Sequence, residues 1–178
     1  MEGLFLKNGI LTKYNPLDEI EDPQVTYDLD GNLRQFNDWR YSYDSLGRLV
    51  KASEGAREIR LAYDALGLCR SKTIDGQQEY YLYQGDEEFG SFTPEGTTKT
   101  LKVPGLQGKP VALEIDDKLY VPFFDSQGNI RRLVDVETGQ LAESFEYSVF
   151  GEEALPEKKI CPWRYLGKRY HQIGRAHV

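Results

Sequence analysis

The chain contains few of the residues that form nucleophilic or metal-binding sites. Its 178 residues include only two cysteines and two histidines. Cys69 and Cys161 are too far apart for a zinc cage and too few for a disulfide framework, and the sequence leaves open whether they pair with each other. His171 and His177 lie near the end, where a histidine-based triad or metal centre has few partners. We therefore expect no catalytic, cofactor-binding or metal-ligating residue, and no cofactor.

Long apolar runs and an excess of basic charge are also missing. The mean hydropathy is −0.59 and no run is long enough for a transmembrane helix. Residues 1–11 have neither a basic start nor a long apolar segment, so no signal peptide is predicted in this chain. The net charge of −7 argues against nucleic acid as a partner. The sequence also contains no Walker phosphate-binding loop and no G-x-S-x-G nucleophile elbow. We therefore expect that the chain is not an enzyme.

Tyrosine is abundant instead, and the stretch WRYSYDSLGRLV, residues 39–50, shows how it is used. Aromatic residues make up 12% of the chain and 12 of them are tyrosines. In residues 39–43 the rings alternate with Arg and Ser, so an extended backbone places three rings on one face. Asp44 and Gly47 favour a turn, because a short carboxylate accepts backbone N–H groups and glycine adopts positive φ at little cost. The stretch predicts a β-hairpin.

The same pattern recurs along the chain. Clear copies begin at Tyr27, Tyr43 and Tyr63, each followed by Asp and, four residues after the ring, by Gly. Weaker copies occupy residues 14–20, 83–85, 124–130 and 147–151, and the long gap between residues 83 and 124 has room for a hairpin without the signature. A period of about 20 residues indicates a repeat array.

In six of these copies the residue two places before the ring is apolar or aromatic. In an array of stacked hairpins these positions form one stripe along a sheet, and the burial of each large side chain contributes roughly 1.5 to 3 kcal/mol. A single hairpin is marginal in water, so the stripe predicts that neighbouring hairpins depend on each other. The stripe positions are Val25, Tyr41, Leu61, Tyr81, Pro122 and Phe145.

The YDxxGxL repeats resemble the YD repeats of RHS proteins. The later stretches FFDSQGNIRRLVDVETGQLAESFEYSVFGEE and CPWRYLGKRY are similar to the RHS repeat-associated core. The resemblance implies an all-β fold, in which antiparallel hairpin repeats form a curved, twisted sheet that is part of a hollow shell. In that family the shell encloses a toxic C-terminal segment of the same polypeptide. Members include polymorphic toxins delivered between bacteria, components of insecticidal toxin complexes and the teneurin adhesion proteins.

This resemblance divides the chain into three parts. Residues 1–157 are YD/RHS hairpin repeats, residues 158–172 begin the core-associated segment, and residues 173–178 are interpreted as a non-native tail. The tail, IGRAHV, resembles a translated sequencing adapter, so the natural protein is expected to continue beyond Gln172. The paired aspartates that cleave such proteins would follow, and no catalytic residue carries over to this chain.

The function expected from the resemblance is structural: a segment of an RHS-type β-shell that encloses a C-terminal toxin or effector of its parent polypeptide. Its partners are then the remaining repeats and that passenger, in a larger protein that is exported or attached to the cell surface. The alternative is an adhesion or glycan-binding module, in which Trp39 and Trp163 contact carbohydrate or a cell surface. A packed aromatic stripe is the favoured interpretation of both rings. A carboxylate-based hydrolase is a third possibility, for which no acidic pair stands out.

Three polar features have two interpretations each. The residues DLDGN, 28–32, resemble the opening of an EF-hand loop, but the glycine is misplaced and a turn is favoured. Asp116 and Asp117 are adjacent, which favours a hairpin turn over a catalytic dyad. Residues 158–178 carry six basic and no acidic residues; a solvated end is favoured over docking on an acidic neighbour or a phosphate. The basic residues are Lys158, Lys159, Arg164, Lys168, Arg169 and Arg175.

Overall fold

The described part of the chain consists of short strands. The computed structural model describes residues 3–7, 10–17, 19–105, 108–147 and 160–170, and no α-helix occurs among them. The predicted all-β class is therefore confirmed. A 3-10 turn occupies Tyr165–Gly167, and no helix in these ranges is long and apolar enough to cross a membrane. The strands are β1 (Gly3–Lys7), β2 (Ile10–Tyr14), β3 (Val25–Tyr27), β4 (Leu33–Phe36), β5 (Trp39–Tyr43), β6 (Leu49–Glu54), β7 (Arg57–Tyr63), β8 (Cys69–Ile74), β9 (Gln77–Gln84), β10 (Glu87–Phe92), β11 (Thr98–Val103), β12 (Ala112–Ile115), β13 (Lys118–Phe124), β14 (Ile130–Asp135) and β15 (Leu141–Ser144).

Strand order in the sheet follows the sequence. Strands β1 and β2 form a separate antiparallel pair, and β3 to β15 form a thirteen-stranded sheet in which each strand is hydrogen-bonded to the strands before and after it. By contact density the chain divides into two compact units. The first contains Met1–Asp64 and Lys72–Gln77, and the second contains Ala65–Ser71 and Gln78–Tyr170. The predicted array of consecutive hairpins is confirmed.

The turn that follows each repeat tyrosine is built around its aspartate. Asp44 Oδ1 accepts hydrogen bonds from the backbone N–H groups of Leu46 and Arg48, both at 3.0 Å, and Oδ2 accepts one from Arg48 Nε at 2.7 Å. Gly47 has a φ of 74°, the left-handed conformation that the sequence predicted. Asp125 makes the same pair of backbone contacts, with the N–H groups of Gln127 and Asn129.

The DLDGN segment is also such a turn. Asp28 Oδ1 accepts hydrogen bonds from the N–H groups of Asp30 and Asn32 at 3.0 and 2.8 Å, so this carboxylate holds the backbone of its own turn. Within the described ranges no three His, Cys, Asp or Glu residues are placed to hold a metal ion. The turn interpretation is confirmed.

Several other connections between strands are tight turns of two residues. Asp116 and Asp117 form one of them, with φ values of 47° and 64°, so the predicted hairpin turn before Lys118 is confirmed. The copy predicted at residues 83–85 keeps its ring but not its turn, because β9 continues to Gln84 and only Gly85 and Asp86 connect it to β10. That part of the prediction was wrong.

The hairpin expected in the long gap is the one between β10 and β11. There Phe92 takes the place of tyrosine and Thr93 takes the place of aspartate. The N–H of Thr97 donates to Thr93 Oγ1 at 3.3 Å, and Gly96 has a φ of 87°. A hydroxyl thus performs part of the carboxylate's role, which is why the sequence signature was lost.

The predicted apolar stripe is buried in both units. The six predicted stripe positions are buried, and the six rings that follow them by two residues are half-buried. Cross-strand partners complete the interior; for example, Tyr41 pairs with Ala52, which pairs in turn with Ile59. The stripe members are Val25, Tyr41 and Leu61 in the first unit, and Tyr81, Pro122 and Phe145 in the second.

Two of the half-buried rings, Tyr63 and Tyr83, connect their repeats to the one before. The Tyr63 hydroxyl donates to the carbonyl of Leu49 at 2.9 Å, and the Tyr83 hydroxyl donates to the carbonyl of Cys69 at the same distance. Arg48 also lies over the Tyr63 ring, with its guanidinium carbon 4.8 Å from the ring centroid. The sequence pattern identified these rings but not their contact with the preceding turn.

The left-handed turn leads to a prediction about Gly47. A β-carbon at this position meets only Asn32 Oδ1, at 3.8 Å, so substitution there is limited by backbone conformation and not by space. We expect Gly47→Val to lower the free energy of unfolding by about 1 to 2 kcal/mol. Gly47→Asn should cost much less, because asparagine tolerates positive φ. Urea denaturation of both variants tests this, and equal losses would contradict the conformational explanation.

The turn carboxylates also predict a pH dependence. The hydrogen bond from the Arg48 backbone N–H lowers the pKa of Asp44 below its ordinary value of 3.8. A lowered folded pKa gives stability that is present above pH 3.8 and lost as the pH falls through the folded value. Asparagine at this position keeps an oxygen acceptor, as Asn15 does in its own turn. Urea denaturation should therefore show wild type losing stability relative to Asp44→Asn below that pH; parallel pH profiles would contradict the prediction.

Candidate functional site

The segment Ile160–Tyr170 docks on the second unit. It closes on itself through a bridge between Trp163 and Arg169, and Gly167 turns the chain with a φ of 66°. Trp163 is fully buried, and Cys161 is 1% exposed. Both lie in a cluster with the stripe residue Phe145 and with buried residues of β12, β13 and β14, namely Leu113, Ile115, Tyr120, Ile130 and Leu133.

Arg169 is the polar centre of this docking. Its Nε and Nη2 atoms donate to the two oxygens of Glu88, at 2.9 and 2.8 Å. Nη2 also donates to Thr100 Oγ1 at 2.7 Å, and Nη1 lies 3.4 Å from Glu79 Oε1. The Arg169 side chain is only 8% exposed. A forked, two-point contact of this kind fixes both the position and the orientation of a guanidinium.

Strands β9, β10 and β11 provide this acceptor set. Glu79, Glu88 and Thr100 come from one strand each, and the antiparallel register places Ser91 opposite Thr100. The two hydroxyls are 2.6 Å apart. A buried hydroxyl pair and two carboxylates on a sheet face would be unfavourable without a cation, so this surface is built to receive one.

Aromatic rings enclose the guanidinium. Its carbon lies 4.8 Å from the Tyr81 ring centroid and 5.2 Å from that of Trp163. The indole N–H of Trp163 donates to Glu88 Oε1 at 3.2 Å. Burial lowers the pKa of Arg169, but the hydrogen bonds and charge of Glu88 outweigh it and leave the pKa raised. Arg169 is therefore a permanent cation at this place.

A second cation supports the same segment. Lys102 Nζ lies 5.3 Å from the Trp163 ring centroid and donates to the carbonyl of Gly167 at 3.2 Å. Glu143 Oε2 accepts a hydrogen bond from the backbone N–H of Cys161 at 2.9 Å. The docking therefore combines side chains from β9, β10, β11 and β15 with the backbone of the segment.

The six basic residues at the end of the sequence were interpreted as solvated, and for Arg169 this was wrong. The acidic neighbour on which it docks belongs to the same chain. Lys168 is exposed as expected, and the Arg164 guanidinium lies 4.1 Å from the Tyr170 ring centroid. The remaining residues of these predictions, namely Lys158, Lys159, His171, Arg175 and His177, and the tail at 173–178, lie outside the described residues.

Neither cysteine forms a disulfide bond, and both are buried. Cys69 starts β8 as a small interior residue, as predicted. Burial raises the pKa of the Cys161 thiol to about 12, so the thiol remains protonated near neutral pH. Thiolate is the reactive form of cysteine, and Cys161 is therefore inert in this environment.

The two tryptophans differ in burial, and only Trp163 is removed from any contact with carbohydrate. Trp163 is 0% exposed, and Trp39 is half-buried with the Arg57 guanidinium 5.6 Å from its ring centroid. Packing within the sheet, the interpretation favoured from the sequence, is what the structure shows for Trp163.

Sequence reasoning missed the acceptor set, although one signal for it was present. Glu79 precedes Tyr81 and Tyr83 by two and four residues, so strand alternation places a carboxylate on the same face as the buried rings. A charged side chain on a buried face requires a partner. The partner was not recognisable, because Arg169 lies 90 residues away from Glu79 in the sequence.

Comparison with known proteins agrees with this geometry. The profile of the Teneurin YD-shell family matches residues 7–157, which is most of the chain. The chain belongs to the Teneurin YD-shell family. The YD-shell assignment confirms the RHS/YD-repeat resemblance and indicates a shell-like structural role.

Curated relatives of this YD-shell chain are much longer proteins. It is 25% identical over 174 residues to the tRNA nuclease WapA of Bacillus subtilis strain 168, and 24% identical to the tRNA(Glu)-specific nuclease WapA of Bacillus subtilis subsp. natto. Each alignment covers 93% of this chain but only 7% of the relative.

Solved structures share the YD-shell fold. The crystal structure of TcdB2-TccC3-Cdc42 matches with a TM-score of 0.56 at 19% identity, over 94% of this chain and 10% of that one. The crystal structure of TcdB2-TccC3 matches with a TM-score of 0.57 at 18% identity, over 97% and 11%. At these identities the matches concern the fold.

The buried arginine leads to a prediction about the docked segment. Arg169→Met leaves the Glu88 carboxylate buried without its cation, which should lower the free energy of unfolding by about 3 kcal/mol. The chain has two tryptophans, so a Trp39→Phe background leaves Trp163 as the only indole reporter. We expect its emission to move to longer wavelength in Arg169→Met. Lys168→Met, an exposed neighbour, is the control; an unshifted Trp163 emission in Arg169→Met would show that the contact does not hold the segment.

Proposed function

We propose that this chain is a structural segment of an RHS-type β-shell that encloses a C-terminal toxin or effector of its parent polypeptide. The observation that carries the proposal is the continuous ladder from β3 to β15, in which every strand is bonded to its neighbours in sequence. Such a ladder satisfies backbone N–H and C=O groups across a thin wall without helices or buried loops. A wall of this kind separates two compartments without any chemistry of its own.

The relatives support the second half of the proposal. The chain aligns with 7% of proteins named as tRNA nucleases, so a repeat segment like this one occurs in polypeptides that also carry a nuclease. The passenger of this protein is the part of the parent polypeptide that the shell encloses. We further propose that the parent is exported or displayed at the cell surface.

The segment itself has no catalytic role in this proposal. The buried pair of Glu88 and Arg169 supports this. Both carboxylate oxygens of Glu88 accept hydrogen bonds from Arg169, so neither is free to act as a base. The Cys161 thiol is protonated and its Sγ lies 2.9 Å from the carbonyl oxygen of Trp163. The glycan-binding alternative finds no support in the burial of Trp163.

The test requires the parent polypeptide of the proposal, with its passenger. Limited proteolysis should leave the passenger intact while the wall is closed. Ile59→Asp places a carboxylate at a fully buried stripe-side position and should open the wall, so that the passenger becomes cleavable. Ala62→Asp, on the exposed side of the same strand, is the matched control and should leave protection unchanged.

Two results would contradict the proposal. One is a passenger that proteases cleave equally fast in the wild-type parent and in Ile59→Asp. The other is a passenger that stays protected in Ile59→Asp after circular dichroism has shown loss of the strand signal.

A further inference from the structure

The face of the sheet opposite the buried stripe differs in character between the two units. In the first unit it is charged: Glu58 forms salt bridges with Lys51, at 2.6 Å, and with Arg60. These side chains occupy adjacent strands, since Lys51 and Arg60 are cross-strand partners. This is the composition of a solvated face.

The same face of β13, β14 and β15 is apolar. Alternation places Leu119, Val121 and Phe123 there, opposite to the buried Tyr120 and Pro122 on the same strand. The exposed fractions of the three are 46%, 36% and 51%. Strand β13 is thus apolar on both faces. Burial of the stripe explains the apolar residues on one face but not those on the other.

Cross-strand neighbours extend these residues into one surface. Val121 pairs with Val134, which pairs with Leu141, and Val136 donates its N–H to the carbonyl of Leu119. Val136 and Leu141 are 51% and 58% exposed. Contiguous apolar surface on the order of a few hundred Å² marks a contact site on soluble proteins. We call this surface the β13–β15 patch; it consists of Leu119, Val121, Phe123, Val134, Val136 and Leu141.

Two opposite charges flank the patch. Glu114 is the cross-strand partner of Leu119, at one end of β13, and Arg132 is the partner of Phe123, at the other end. Both side chains lie on the same face as the patch, because Leu113 and Leu133 beside them are buried on the other. Two such faces can pack against each other about a two-fold axis that is perpendicular to the line from Glu114 to Arg132. In that arrangement the Glu114 carboxylate of each copy lies opposite the Arg132 guanidinium of the other copy.

We propose that the β13–β15 patch is a self-association face on which a second copy of this chain packs. The patch is its own complement, with an apolar centre and one charge of each sign at its ends, which is what an isologous interface requires. A stable interface buries roughly 800 Å² on each partner, so the patch supplies the apolar centre and the flanking polar residues supply the rim. This inference does not depend on the proposed shell function.

Sedimentation equilibrium of the full 178-residue chain across a concentration series tests the proposal. Wild type should show a monomer–dimer equilibrium. Val121→Glu, at the centre of the patch, should raise the dimer Kd at least about tenfold. Ala62→Glu is the matched control, because it introduces the same charge at an exposed position on the corresponding face of β7 and should leave the Kd unchanged.

A charge exchange tests the symmetry and does not require a substitution inside the patch. Glu114→Arg and Arg132→Glu should each raise the Kd severalfold, and the double variant should restore it, because the two charges meet across the interface. A strictly monomeric wild type would overturn the proposal. So would a folded Val121→Glu that dimerises as wild type does, since association would then take place elsewhere, at strand edges for example. Single variants that weaken the dimer without recovery in the double variant would overturn the two-fold pairing.

Discussion

The contact between each repeat ring and the hairpin before it is the interaction on which this structure depends. A two-stranded hairpin cannot bury enough apolar surface to persist alone. The Tyr63 and Tyr83 hydroxyls each hydrogen-bond a carbonyl of the preceding repeat, and the positions two residues earlier are buried beneath. Backbone pairing joins the strands, and at these two repeats the ring adds a directional contact that favours one register between neighbouring hairpins.

The docked segment solves a different problem with a different interaction. Hairpin repeats need only apolar contacts and turn hydrogen bonds, whereas Ile160–Tyr170 has one bridge of its own and little backbone pairing. Its position is specified by Arg169, which satisfies Glu88 and Thr100 and is enclosed by Tyr81 and Trp163. Specificity at the end of the array therefore comes from a buried ion pair, in contrast to the apolar repetition elsewhere.

Much of the fold was predictable from the sequence because its determinants are local. The stripe residues, the Asp44 carboxylate and the left-handed Gly47 all act within a few residues of one another, and period-two alternation is sufficient to assign them. The turn at Thr93 was hidden, since a hydroxyl replaces the carboxylate while leaving the geometry in place. The Arg169 site was missed for a stronger reason: its members are distant in sequence, and only the paired strands bring them together.

Strand order that follows the sequence has a consequence for synthesis on the ribosome. Each new hairpin can pair with a strand that has already been synthesised, so its pairing does not depend on a later part of the polypeptide. Contacts of short sequence separation also form quickly. Among the described residues, Ile160–Tyr170 is the segment that must close a long loop back to β9–β11, so we expect it to fold late. The nascent sheet therefore grows in one direction. Its growing edge is the most recently added strand, and this is the edge that a chaperone would need to shield.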